Sequence, residues 1–143
     1  MSPTDRLQVI IECQQHIHAF YGALDAGDFE LVSAAFAEEG VWHRQGAVLQ
    51  GPAAVRSALA DRPAQRVSAH LVNNLVVIPV SATEASAGYL TLVFRDDGPR
   101  ADGAPADLGN AYVISWNDDR LQKGADGAWR FMEKRSSQRF RQP

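Results

Sequence analysis

Cysteine is nearly absent from this chain: Cys13 is the only one. It can therefore close no internal disulfide and build no multi-cysteine zinc site, which suits a reducing compartment and predicts the cytoplasm. Long apolar runs are missing as well. The longest, Leu75 to Val80, is far too short to cross a bilayer core of roughly 30 Å. The opening Met-Ser-Pro-Thr-Asp-Arg has neither the basic nor the apolar region of a secretory leader, so a soluble, unprocessed chain with no membrane partner is expected. Nor is there an excess of positive charge. Fourteen Lys and Arg are outnumbered by seventeen Asp and Glu, a formal net charge of −3, which leaves no basic face to track a phosphate backbone and predicts no nucleic-acid partner.

What is present is enough apolar material for one core: 45% of 143 residues are hydrophobic, which predicts a single domain spanning 1–143. Leu7, Ile10, Ile11, Ile17, Tyr21 and Leu24 recur at helical spacing after Ser2, Pro3 and Thr4, so a helix is expected from about Pro3 to Ala26. Gly27 closes it and Asp28 caps a second helix, whose apolar stripe is Phe29, Val32, Ala35 and Phe36. Val41 to Gln45 reads as a short strand. Gly51-Pro52 then starts a third helix that carries Val55, Ala58 and Leu59 and stops by Pro63. From Arg66 the pattern turns to β-branched and aromatic runs, and strands are expected over Val67–Val80, Glu84–Arg95, Asn110–Leu121 and Trp129–Ser137. The long Gly-, Pro- and Asp-rich link from Asp96 to Gly109 is expected to be mobile. Helices first and an antiparallel meander afterwards predict an α+β layer.

Four stretches carry a family likeness. Phe20-Tyr21-Gly22-Ala23-Leu24-Asp25-Ala26-Gly27-Asp28-Phe29, then Gly51-Pro52-Ala53-Ala54-Val55, then His70-Leu71-Val72-Asn73-Asn74 resemble the helical hairpin, third helix and first long strand of SnoaL-like proteins, within the nuclear transport factor 2-like superfamily. Trp129-Arg130-Phe131 resembles the last strand. The resemblance implies a cystatin-like cone: three N-terminal helices on a strongly curved, mainly antiparallel sheet with an internal apolar pocket. It implies no cofactor, and a homodimer. Because the superfamily holds enzymes and pure binders alike, fold by itself does not give function.

The resemblance also singles out residues. Asp25 and His70 fall where scytalone dehydratase and hexachlorocyclohexane dehydrochlorinase carry an Asp-His pair, and Asn74 matches an asparagine four residues beyond the histidine. A histidine can remove a proton next to a leaving group if a carboxylate fixes its tautomer and stabilises the imidazolium. His18, Tyr21 and Asp25 sit on successive turns of one helical stripe, so Tyr21 is a candidate oxyanion donor and His18 a candidate substrate contact. Strand alternation groups His70, Val72, Asn74, Val76 and Ile78 on one face, with Leu71, Leu75 and Val77 on the other. Trp42, His43, Tyr89, Tyr112 and Trp116 are candidates to line the pocket, each set against plain core packing. His16 and His18 are two apart on a helix and diverge, so no metal is expected.

Two departures narrow the chemistry. The helix-one tyrosine of ketosteroid isomerase becomes Phe20 and its general-base aspartate becomes Arg44, against an isomerase of that mechanism; Leu24 stands where scytalone dehydratase carries a tyrosine. The leading expectation is a cofactor-independent lyase or isomerase acting on a small cyclic or aromatic metabolite. A non-catalytic binder of small apolar molecules is the alternative, and a structural small subunit of a ring-hydroxylating dioxygenase the third. Arg135 and its neighbour Lys134 read as a solvated basic run.

Overall fold

The first helix is fixed at both ends. In the computed structural model, which describes residues 1–143, Ser2 Oγ accepts from Asp5 N at 3.1 Å while Asp5 Oδ2 accepts from Ser2 N at 3.1 Å, a reciprocal capping box at the start of α1 (Pro3–Ala26). Gly27, at φ 75°, ends it in the left-handed conformation that a side chain would resist. Asp28 then caps α2 (Phe29–Ala34) by accepting from Leu31 N at 3.2 Å. The buried stripe of α1 is Val9, Cys13, Ile17, Phe20, Tyr21 and Leu24, whereas Leu7 and Ile11 are exposed. The expected stripe is therefore displaced over the first two turns, where Val9 and Cys13 are buried in place of Leu7 and Ile11.

Strand β1 (Phe36–Arg44) begins five residues before the expected Val41, and it runs back into β2 (Ala47–Gln50), which had no counterpart in the sequence reading. Phe36 is thus a strand residue, paired with Phe131, and not the end of the α2 stripe. Gly40 is where β1 bends against its neighbour; a Cβ there would run into the Phe131 carbonyl. Then come α3 (Gly51–Leu59), β3 (Val67–Pro79), β4 (Glu84–Asp96), β5 (Val113–Lys123) and β6 (Trp129–Arg141). The sheet order is β2-β1-β6-β5-β4-β3, antiparallel throughout except for the parallel β1–β6 pair.

Register shifts in the β1–β6, β3–β4 and β5–β6 pairs bend and twist this open sheet into a cone under the helices. The shift in β3 falls between Asn73 and Val76, where Asn74 sits at φ 56°. One extra residue flips the alternation. Before the bulge the inward residues are even-numbered, since His70 pairs with buried Val93 and Val72 with buried Thr91; after it they are Val77 and Pro79, while Val76 and Ile78 are exposed. The expected face from His70 to Ile78 therefore breaks at Asn74, and Val77 joins the core. Phe20 packs edge-on to Phe36, Trp42 and Phe131 with centroids 5.2–5.8 Å apart, each such pair adding about 0.5–1.5 kcal/mol beyond area burial.

Candidate active site

Asp25 stands on the last turn of α1, and the opening of β3 runs directly beside it. Its carboxylate accepts three hydrogen bonds there: from His70 N at 2.8 Å, from Ser68 Oγ at 2.8 Å, and at the ring, where His70 Nδ1 lies 2.6 Å from Oδ1. A helix C-terminus disfavours a negative charge, and burial pushes this carboxyl up, yet the bonds from the His70 ring and backbone and from Ser68 outweigh both and hold it below its usual value. An ionised Asp25 requires the Nδ1–H tautomer of neutral His70, which leaves Nε2 with its lone pair. Arg62 completes the support, donating to Ser68 Oγ at 2.7 Å and to the Leu24 carbonyl at 3.0 Å.

His70 lines a cavity of about 290 Å³ between the helices and the sheet. Leu24, Trp42, Val93 and Val113 give it an apolar share, and Tyr112 closes part of it. The remainder is more polar than the aliphatic wall the strand pattern suggested: Thr91, Ser115, Asn117 and Lys134 line it too, together with four arginines.

Beneath the cavity lies a second polar group. Lys134, 1% exposed, is paired in register with Asp119, and their charges meet at 3.2 Å. Tyr89 donates to Asp119 at 2.6 Å, and Lys134 Nζ donates to Tyr89 at 2.5 Å. Tyr21 links this group to the cavity, its hydroxyl 3.2 Å from that of Tyr89 and donating to Asn117 Oδ1 at 3.4 Å. Burial would strip the lysine of its proton, but facing Asp119 holds its pKa above the ordinary value; burial raises both tyrosines.

The structure brings some of the expected residues together and separates others. His70, Tyr21, Trp42 and Tyr112 meet at the cavity, with the Tyr21 and His70 rings stacked at 5.3 Å, and Asp25 holds His70 from behind the cavity wall. Tyr89 lies in the floor beneath it. Asn74 does not face the cavity: the bulge turns it outward into solvent. His18 is exposed on the far side of α1. His43 lies beside Glu133, 3.6 Å away, and Trp116 donates to Asp118 at 3.0 Å in a groove on the outer sheet face, so neither lines the cavity. His16 is held by the Ala35 carbonyl at 3.1 Å, and burial pulls its pKa down to about 4. No group of three or more His, Cys, Asp or Glu side chains converges as a metal ion requires.

Lys134 and Asn117 were missed, and Lys134 was misread as solvated. A signal existed for Asn117 and Asp119: with Val113 and Ser115 they occupy alternate positions of one strand, hence one face. For Lys134 the neighbouring Arg135 obscured the same logic, since adjacent strand residues point oppositely and Arg135 alone is exposed.

This fold and this cavity define the class. The chain belongs to the SnoaL-like domain family, whose model matches residues 5–135. It is similar to a solved structure from Catenulispora acidiphila in complex with S-DNPA, at 25% identity over 90% of this chain and 91% of that one with a TM-score of 0.71. It is also similar to LinA, at 19% identity over 98% and 92% with a TM-score of 0.77. A third neighbour is an NTF2-like protein with a cystatin-like fold from Novosphingobium aromaticivorans, at 21% identity over 90% and 80% with a TM-score of 0.71. The last two likenesses establish the fold. No curated protein matches the chain. No helix is long and apolar enough to cross a membrane.

Proposed function

We propose that this protein is a cofactor-independent lyase or isomerase that removes a carbon-bound proton from a small cyclic or aromatic metabolite. The observation that carries the reading is the 2.6 Å contact between His70 Nδ1 and Asp25 Oδ1 at the wall of the cavity. Nε2 of His70 takes the proton; the C–H electron pair moves into an enolate; Asp25 stabilises the imidazolium that results. The electron pair then expels a β-substituent, hydroxide leaving as water with the proton returned by His70, or is reprotonated at another carbon. Tyr21 lies at the cavity, where a developing oxyanion would gain a hydroxyl donor, the task first assigned to it, while Lys134 only adds a fixed positive field from the floor beneath. A small-molecule occupant is in keeping with the S-DNPA complex of the Catenulispora neighbour. A second copy of the chain covering the exposed Val76 and Ile78 of the outer face is part of the same proposal.

The experiment is a screen of the wild type and His70→Ala, both checked for folding, against hydroxylated cyclic ketones and halogenated rings, following loss of water or halide by mass spectrometry. Turnover confined to the wild type is expected. Ligand binding without turnover in either protein would leave a binding module instead.

A further inference from the structure

Four arginines, Arg44, Arg62, Arg66 and Arg95, line the cavity that holds His70, and no carboxylate lines it with them. Their charges are poorly balanced. Asp97 alone serves two of them, accepting from Arg66 at 2.7 and 3.1 Å and from Arg95 at 2.7 and 3.1 Å. Arg62 is held only by neutral oxygens, the Leu24 carbonyl and the Ser68 hydroxyl. Arg44 has no carboxylate within ion-pair reach; its guanidinium rests on the Trp42 ring, 5.1 Å from the centroid. Asp25, bonded to the neutral His70 ring, offsets part of the Arg62 charge, and Asp119 is paired with Lys134, so the four arginines keep a net positive charge between them.

Such a cluster repels itself. Burial, then the charges of the other arginines, pull both Arg44 and Arg62 below the ordinary guanidinium value. The chain as a whole carries −3, so the cationic cavity is not the overspill of a basic protein. Self-repulsion held within a cleft focuses a positive field there, which an incoming anion would relieve. The planar groups are also pre-set: Trp42 backs Arg44, and Tyr112 backs Arg95 with its ring centroid 4.6 Å away. A stacked guanidinium keeps its in-plane N–H groups free to grip an oxyanion in pairs.

We propose that Arg44, supported by Arg62, Arg66 and Arg95, forms an oxyanion subsite, so that the cavity takes a small cyclic or aromatic molecule bearing a carboxylate or a phosphate. The assignment rests on the reading of His70 as base only for which end of that molecule faces the dyad. One anionic end on the arginines would leave the carbon skeleton between Trp42 and His70, fixing which C–H bond meets Nε2. Of the 290 Å³ available, little remains for a bulky substituent, since typical ligand pockets span about 300–1,000 Å³.

The test is calorimetric titration with 1-naphthoate, 1-naphthyl phosphate and the neutral 1-naphthamide into wild type, Arg44→Gln, Arg95→Gln and His70→Ala, each verified as folded by circular dichroism. Wild type should bind at least one anion ten times or more tighter than the amide, with affinity falling as salt rises. The tighter of naphthoate and naphthyl phosphate identifies the group. Arg44→Gln should abolish the preference, Arg95→Gln should reduce it, and His70→Ala should retain it. Equal affinity for all three molecules, no binding by any of them, or a preference that survives in Arg44→Gln overturns the subsite. Loss of the preference together with retained, His70-dependent proton removal would overturn the subsite and spare the base. An intact preference in a protein that removes no proton would do the reverse.

Discussion

Two ion pairs flank one cavity, and they differ in what they leave free. Lys134 and Asp119 are sealed in the floor, bonded to each other and to Tyr89, which Tyr21 links on to Asn117, and no buried polar side-chain atom there lacks a partner. Asp25 and His70, at the wall, are only partly buried; the carboxylate accepts three hydrogen bonds, but the far ring nitrogen of the histidine has no partner in the protein. A closed network organises a core and sets a local field. An open one, with one lone pair unspent beside a cavity, is equipped to accept a proton from something else. The contrast separates a structural role for the floor from a chemical role for the wall.

The largest effect should come from the open pair. His70→Ala is expected to lower kcat by about 10²–10⁴-fold, the usual worth of a positioned general base, with a small change in Tm because Asp25 keeps its bonds from His70 N and Ser68. The floor should respond the other way round. Lys134→Met strands a buried carboxylate and is expected to cost about 3–5 kcal/mol in chemical denaturation, whereas pairing it with Asp119→Leu should return much of that loss. If both variants moved stability and activity alike, the distinction between the two pairs would collapse.

Asp25→Asn comes next. An amide cannot stabilise the imidazolium, so kcat should fall at least about tenfold, with KM changed less. The same residue carries an acid-dependent part of stability. Its folded pKa is depressed, so the folded state holds the carboxyl proton less readily than the unfolded chain; the stabilisation is complete above about pH 4 and drains away as pH falls through the depressed value. Urea midpoints measured between about pH 7 and pH 3 should therefore fall less steeply in Asp25→Asn than in wild type. The smallest effect belongs to Tyr21→Phe, which joins floor to wall: loss of the hydroxyl that meets Tyr89 and Asn117 should cost about 1 kcal/mol of stability and a few-fold in kcat.

The same contrast marks how far the sequence could be read. The helices announced themselves through local chemistry, with Ser2, Gly27 and Asp28 all at the ends where capping rules put them. The strands from Val67 onward were legible from alternation and turn residues, and the placement of Asp25 and His70 came from their positions within familiar segments. What stayed hidden depends on pairing. Asn74 was expected inward because alternation was extended across a bulge that only the β3–β4 register reveals. Strand β2, Ala47-Val48-Leu49-Gln50, is four residues long, too short for alternation to register. Lys134 looked like solvent-facing charge until Asp119 came opposite it on β5, and the four arginines are spread from Arg44 to Arg95, converging only when β1, the α3–β3 link and β4 meet.

The most direct test of the central claim, that His70 takes a proton from carbon, is deuterium incorporation from D2O into an enolisable cyclic ketone, followed by NMR with wild type and His70→Ala side by side. Incorporation by the wild type that is lost in the folded variant is the predicted result. Equal incorporation by both proteins, or a ketone that binds the wild type and gains no deuterium, would contradict it.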